Sequence, residues 1–260
     1  MAARLRLRDT PVRTASRSSP TPSDWFHSAG SDQVLRDVTT AYIVPPARAR
    51  SGARLRGAGR GRRGAAPGPA LRSRRRRLGR LRVRAGHALG EDAVRGSALA
   101  WTILRPSNFA QNFDGHPFRA PLAAGEPALP PGAVPEPFTD LEDVAAVAAT
   151  VLSEPGRHTG RVCELTGSHA LTWAETVELI SRASGLPIAY RRVSPAEYTA
   201  TLVQEGWSED EAQHLAEMFV LLERGVTAWA TDDVATVLGR APPTFEDFVL
   251  RATAAKAWQR

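Results

Sequence analysis

One segment, residues 47–86, limits where this chain can form a folded core. Arg, Gly, Ala and Pro account for 33 of its 40 residues, and it contains no aromatic residue, Ile, Asn, Gln, Thr or Lys. Such a composition buries too little apolar surface to offset the entropy lost on ordering. The sequence therefore predicts that this segment is largely unstructured and that a packed core forms outside it.

Three interpretations of this segment are open: an Arg/Gly-rich arm that binds nucleic acid, a solvated linker, and a stretch translated out of frame. The third is favoured, because a GC-rich gene read in another frame yields mostly Arg, Gly, Ala and Pro codons. The near absence of lysine elsewhere, with Lys256 as the single example, fits such a gene.

The basic charge of the chain is confined to the same segment. The net charge is +7, but residues 47–86 hold 15 Arg and no acid, which leaves 19 basic and 27 acidic groups elsewhere. We therefore do not expect nucleic acid as a partner of the folded part.

Cysteine content and hydropathy exclude several classes of protein. Cys163 is the only cysteine, which excludes a disulfide framework and fits a reducing, cytoplasmic location. No apolar run reaches the length needed to cross a bilayer, so no membrane association is expected. The Arg- and Ser-rich residues 1–19 superficially resemble a transit peptide, which is a minor alternative.

From residue 92 onward, apolar runs and helix start signals alternate in an orderly way. A short buried strand is predicted at 100–104, closed by Arg105 and Pro106, and a second strand at 161–166. Thr139 and Glu142 have the spacing of a capping box, which predicts that a helix begins here. Strands alternating with helices predict an α/β fold with a parallel sheet. The β-capable runs at 11–16 and 41–44 would be further strands of that sheet.

Further start and stop signals follow the second strand. Three more cap pairs are Thr172 with Glu175, Ser194 with Glu197, and Ser208 with Glu211. The glycines placed to end the intervening helices are Gly185, Gly206, Gly225 and Gly239. The agreement of both signals with the apolar pattern predicts that this half of the chain folds well.

The common catalytic patterns are missing from the sequence. Tyr42, Tyr190 and Tyr198 all lack a lysine four residues later, which excludes the Tyr-x-x-x-Lys pair of standard short-chain dehydrogenases. The six histidines show no metal-ligand spacing, and no serine lies in a G-x-S-x-G turn. Catalytic residues therefore stay unassigned, and no metal site is expected.

Three runs carry a resemblance to a known family. They are WTILRPSNFAQNF at 101–113, PFTDLEDVA at 137–145 and GRVCELTG at 160–167. In order and spacing they resemble the NmrA-like branch of the atypical short-chain dehydrogenases. VRTASRSS at 12–19, Asp24-Trp25 and YIVPP at 42–46 are similar to the subgroup that contains the ergot-alkaloid reductases.

The resemblance implies three regions. Residues 1–46 would be part of a Rossmann-like NAD(P)-binding half, 47–86 an aberrant or unstructured segment, and 87–260 the rest of the sheet with a mostly helical substrate lobe. Family members open with a strand and a G-x-x-G-x-x-G turn that cradles the pyrophosphate. The resemblance places residue 1 after this strand and turn. The chain is therefore expected to be N-terminally truncated, with weak NADPH binding and impaired activity.

The resemblance also implies the ligand contacts. Arg17 between Ser16 and Ser18 would bind the 2′-phosphate of NADP(H), although NAD(H) and a merely solvated Arg17 are the alternatives. The other expected cofactor contacts are Val44, Pro45, Pro46, Pro106, Ser107, Asn108 and Phe109. The expected substrate contacts are Gln111, Asn112, Phe113 and Phe138.

The implied function is NADPH-dependent reduction of a small organic substrate of the imine or quinone type. A non-catalytic NAD(P)-sensing regulator is the alternative, since the Tyr-x-x-x-Lys pair is missing. The expected partner is a small molecule, and the sequence does not predict an oligomeric state.

Overall fold

A computed structural model describes residues 82–97, 99–154 and 156–259, together with Tyr42 and Val44. Helices and strands alternate over the first part of this region, and helices dominate the rest. The helices are α1 Arg82–Arg95, α2 Arg119–Ala124, α3 Leu141–Ser153, α4 Trp173–Ser184, α5 Pro195–Gln204, α6 Glu209–Leu222, α7 Asp233–Leu238 and α8 Phe245–Ala254. The strands are β1 Ile103–Pro106, β2 Ala128–Leu129, β3 Val162–Leu165 and β4 Arg191–Arg192.

Strands β1 and β3 form a parallel pair, which confirms the predicted α/β class. Ile103 lies opposite Val162 and Pro106 opposite Leu165. The first strand was predicted at 100–104, but it begins at Ile103 and includes Pro106. The N–H groups that point towards β3 belong to every second residue: Ile103 donates to the Arg161 carbonyl and Ser107 to the Leu165 carbonyl. Pro106 therefore interrupts no bond of this ladder, although it has no N–H.

A small core covers the β1–β3 pair. Helix α3 contributes Val144 and Val147, and α7 contributes Val234 and Val237, packed against the buried Cys163 and Leu165 of β3. The helical spacing of three residues places each valine pair on one face, which explains why both helices bury that face.

A larger core holds the helical lobe together. Aromatic side chains from four parts of the chain meet there: Phe113, Phe138, Trp173 and Phe245. Helices α4, α5, α6 and α8 all contribute buried residues to it. The short parallel pair β2–β4 lies in the same lobe and joins residues 128–129 to 191–192.

The predicted helix caps are confirmed with one exception. Thr172 and Ser208 form full capping boxes, and Ser194 accepts from the Glu197 N–H with Pro195 at the first helical position. The cap of α3 was predicted at Thr139 but lies one residue later, at Asp140, which accepts from the Glu142 N–H. The Thr139 hydroxyl instead donates to the Leu165 carbonyl at 2.7 Å.

Helix α1 corrects part of the prediction for residues 47–86. Its first five residues, 82–86, belong to that segment and are helical. Arg, Ala and Val are compatible with a helix, and the following turns give it a tertiary anchor. Glu91 binds the Arg105 guanidinium at 2.6 Å, and Arg105 also binds Glu164 at 2.9 Å. Residues 47–81 lie outside the described residues.

Within the described ranges, no helix combines the length and apolarity required to span a membrane.

Candidate functional site

The candidate site lies where β1 ends. Pro106 is the last residue of the strand, and Ser107, Asn108 and Phe109 follow it. Ligands of parallel α/β sheets bind at the carboxyl ends of the strands. The four consecutive residues 106–109, expected as cofactor contacts, therefore lie at this edge of the sheet.

A neighbouring segment, residues 136–140, holds this loop in place. The Thr139 N–H donates to the Asn108 carbonyl at 2.8 Å, and the Ala110 N–H donates to the Thr139 carbonyl at 2.9 Å. Phe109 and Thr139 form a parallel bridge. The loop after β1 is therefore held by backbone bonds as a strand would be, which limits its freedom to rearrange.

The Ser107 hydroxyl is occupied within the protein. It lies 2.5 Å from the Pro137 carbonyl and 2.5 Å from the Thr139 hydroxyl, which in turn donates to Leu165. The Ser107 proton goes to the Pro137 carbonyl and the Thr139 proton to the Leu165 carbonyl, with the two hydroxyl oxygens side by side. Ser107 therefore joins the ends of β1 and β3 to the 136–140 segment, and any contact with a ligand would come in addition to that role.

Asn108 is hydrogen-bonded to Glu136, which in turn is bonded to Thr227. Its Nδ2 donates to Glu136 Oε2 at 2.7 Å, and the Thr227 hydroxyl donates to Glu136 Oε1 at 3.1 Å. Glu136 is only 2% exposed, which is rare for a carboxylate. Its N–H and carbonyl also pair with Leu171, at 2.8 and 3.1 Å. These contacts place a buried carboxyl group directly behind a cofactor-loop residue.

Neither Glu136 nor Thr227 was identified from the sequence. Glu136 lies between Pro135 and Pro137, a context typical of an exposed loop. The only signal was an acidic residue two positions before the apolar and capping residues Phe138 to Asp140. Thr227 is 91 positions away, so its role follows from tertiary structure alone.

Gln111 and Asn112, expected on the substrate side, have different surroundings. Gln111 Nε2 donates to Asp140 Oδ1 at 2.7 Å, while its Oε1 accepts from the Leu141 N–H at 2.9 Å. Both ends of this amide thus support the start of α3, where Asp140 also pairs with Arg251. Asn112 is half-buried, and its backbone carbonyl accepts from the Phe118 N–H.

The two expected aromatic substrate contacts lie in the lobe core. Phe113 is 0% exposed, with its ring centroid 5.1 Å from Phe138 and 5.2 Å from Trp173. The Trp258 indole N–H donates to the Phe113 carbonyl at 2.8 Å. Phe138 is 4% exposed. In this conformation Phe113 has no surface open to a substrate, and Phe138 has almost none.

Tyr190 and Tyr198 are packing residues. Tyr190 donates to the Pro131 carbonyl, and Tyr198 stacks edge-on against Phe219. Burial raises the pKa of both phenols well above the ordinary value of 10. Neither can readily supply a proton at neutral pH, in agreement with the missing Tyr-x-x-x-Lys pair.

The remaining predictions fall mostly outside the described region. Ser16, Arg17, Ser18, Pro45 and Pro46 are not among the described residues, and the described Val44 is 71% exposed. Among the described residues, no group of three His, Cys, Asp or Glu side chains could hold a metal. Burial raises the pKa of the Cys163 thiol, which lies in the β3 core rather than at the site.

Comparison with known proteins points to one family. The sequence profile of the NmrA-like family matches residues 88–249. An NAD(P)H azoreductase of Xenophilus azovorans is 32% identical over 66% of this chain and 60% of its own length. Agroclavine dehydrogenase of Claviceps fusiformis is 30% identical over 61% and 55%, respectively. The latter agrees with the resemblance to the ergot-alkaloid reductases.

Among solved structures, an NADPH-dependent quinone oxidoreductase of Escherichia coli superposes with a TM-score of 0.59 and 25% identity. The match covers 65% of this chain and 61% of that protein. The chain thus spans about 55–61% of the length of these three relatives.

Proposed function

Since this chain belongs to the NmrA-like family, we propose that it is an oxidoreductase that uses NADPH to reduce a small imine- or quinone-type substrate. The observation that carries the proposal is the loop at residues 106–109, held at the carboxyl end of a parallel strand by segment 136–140. A rigid loop at that edge is what a fold of this class uses to position a nicotinamide ring.

The residues present fit the nicotinamide end of such a cofactor. Pro106 and Phe109 are half-buried, so each keeps part of its apolar surface available to a flat ring. Ser107 and Asn108 lie between them and add polar groups. When bound, the reduced nicotinamide would supply a hydride, and these residues would orient its ring. Arg17 with Ser16 and Ser18 is proposed for the 2′-phosphate, and Val44, Pro45 and Pro46 for the adjoining part of the cofactor.

The relatives support the chemical class. Their names describe an azoreductase, a quinone oxidoreductase and a dehydrogenase, and two of these names specify NAD(P)H or NADPH. All three are redox enzymes, although their substrates differ. NADPH is therefore proposed as the preferred cofactor, with NADH as the weaker one, and the substrate as a small molecule.

A non-catalytic dinucleotide-binding protein is the second candidate. It is favoured by the packing of Tyr190 and Tyr198 in the helical lobe, because neither phenol is placed to protonate a reduced carbonyl at the loop after β1. This candidate predicts cofactor binding without turnover.

Following the absorbance of NADPH at 340 nm with a panel of quinones and cyclic imines separates the two candidates. Oxidation of NADPH that depends on both protein and substrate supports the reductase. Binding of NADPH by calorimetry without oxidation by any panel member contradicts it and supports the sensor.

A further inference from the structure

The two ends of the Asn108 side-chain amide differ in their hydrogen bonding. Nδ2 donates to Glu136, whereas Oδ1 accepts no hydrogen bond from any described residue. Asn108 is half-buried and lies two residues past Pro106, at the ligand edge of the sheet. An acceptor without a partner in a half-buried position is costly unless water or a ligand satisfies it.

Glu136 determines which end of the amide has no partner among the described residues. In its ionised form Glu136 only accepts hydrogen bonds, and the end of Asn108 that faces it is the NH₂ group. The Thr227 hydroxyl and the backbone of Leu171 hold Glu136 in place. Turning the Asn108 amide over would bring Oδ1 against a carboxylate oxygen, where two acceptors repel. The orientation of Asn108 is therefore set from behind by a residue that the ligand does not reach.

We propose that Glu136 is a positioning residue: it holds Asn108 Nδ2, so that Oδ1 of this cofactor-loop residue is left as an acceptor for a substrate bound beside the nicotinamide. The site then prefers a substrate with an N–H donor, such as a protonated imine, over a quinone, whose oxygens only accept. This inference rests on the proposed function for the location of the substrate, and it selects between the two substrate types named there.

The proton balance of the reaction agrees with this preference. A protonated imine takes a hydride at carbon, its C=N π pair moves to nitrogen, and a neutral amine results without any further proton. The reduced nicotinamide that gives the hydride becomes oxidised. A quinone that takes the hydride becomes a hydroquinone anion, which still needs a proton from water, whereas the protonated imine needs none.

The orientation of Asn108 can be observed directly, without a cofactor. The chain contains two asparagines, Asn108 and Asn112, so ¹⁵N-asparagine labelling yields two side-chain NH₂ pairs. Asn112→Gln assigns them. We expect one Asn108 amide proton to be shifted downfield by the carboxylate, and Glu136→Gln to remove that shift. Ser168→Ala, which changes an exposed side chain outside this hydrogen-bond group, should leave the shift in place. Asn108 signals that are the same in wild type and Glu136→Gln would overturn the positioning role.

Substrate preference is the second test. Protonated 3,4-dihydroisoquinoline and 1,4-naphthoquinone are two-ring compounds of similar size, and their affinities are compared by calorimetry in the presence of NADPH. In Glu136→Gln, a glutamine NH₂ can face Asn108 Oδ1, so the Asn108 amide is free to turn. We expect the imine-to-quinone affinity ratio to fall about tenfold, the effect of one hydrogen bond. Asn108→Leu should lower the ratio similarly, and the exposed control Ser168→Ala should not.

The outcomes distinguish the two proposals. A ratio unchanged in both Glu136→Gln and Asn108→Leu, in proteins with wild-type circular dichroism, overturns the substrate preference. Binding of neither compound contradicts the proposed function and the preference together, while the Asn108 signals still decide whether Glu136 positions the amide.

Discussion

Gly167 lies directly against the backbone of Phe138. A Cβ atom placed on Gly167 would lie 2.3 Å from the Phe138 carbonyl oxygen, and the Gly167 N–H donates to the neighbouring Pro137 carbonyl at 3.2 Å. Gly167, two residues past β3, thus has to be small, so that segment 136–140 can approach the strand ends. This close contact sets the depth at which Glu136 and Thr139 lie behind the loop of Asn108.

Gly167→Ala is expected to destabilise the protein, because the added methyl group meets backbone rather than a flexible side chain. Overpacking of this kind costs about 1–3 kcal/mol. Urea unfolding followed by circular dichroism measures it. Ser168→Ala is the matched control, since it alters an exposed neighbour and adds no atoms. Equal stabilities for Gly167→Ala and wild type would show that segment 136–140 can move away from β3.

Phe113→Ala tests whether this residue serves the core or the substrate. Its ring is fully buried among aromatic neighbours, so we expect a loss of about 3–5 kcal/mol in unfolding free energy. Leu250→Ala, at a position 64% exposed, is the control and should change stability little. Unchanged stability with weakened substrate binding in Phe113→Ala would restore its predicted role as a substrate contact.

The capping boxes of α4 and α8 predict an acid sensitivity. Hydrogen bonds from the backbone N–H and then the hydroxyl of Thr172 lower the pKa of Glu175, and Thr244 does the same for Asp247. A lowered pKa means that the ionised form stabilises the fold. The contribution is complete above the ordinary values of 4.5 and 3.8 and is lost as the pH falls through the lowered ones.

The double variant Glu175→Gln/Asp247→Asn should therefore be less stable than wild type at pH 7, and this difference should shrink towards pH 2. Urea midpoints at several pH values measure it. Glu178→Gln changes an exposed carboxylate of the same helix α4 and serves as the control. A stability difference that does not vary with pH would contradict the assignment.

Arg17→Glu tests the cofactor preference inferred from the sequence. A carboxylate in place of the guanidinium should repel the 2′-phosphate and weaken NADPH binding by about tenfold or more, with little effect on NADH. Calorimetric titration with both dinucleotides measures this, and Arg13→Glu is the control for net charge. Equal losses for both cofactors would mean that Arg17 does not contact the 2′-phosphate.

Patterns that act over a few residues were predictable. The capping boxes at Thr172 and Ser208 depend on partners three residues apart, so the sequence shows both halves of the interaction. The α3 cap was placed wrongly because Thr139 and Asp140 are adjacent and both suit the position. The choice depends on Leu165, whose carbonyl engages the Thr139 hydroxyl from 26 residues away.

The same distinction between local patterns and long-range contacts applies to the candidate site. By itself, the sequence determined that β1 runs into a loop with Ser107 and Asn108, because a short apolar run followed by Arg-Pro is a local signal, and the spacing of its motifs indicated the family. Only the tertiary structure decided that Phe113 packs in the core, that Gln111 supports α3, and that Glu136 and Thr227 surround Asn108. The physical reason is that burial and hydrogen-bond partnership depend on which segments pack together, and residues 108, 136 and 227 meet only when the sheet edge and the helical lobe are assembled.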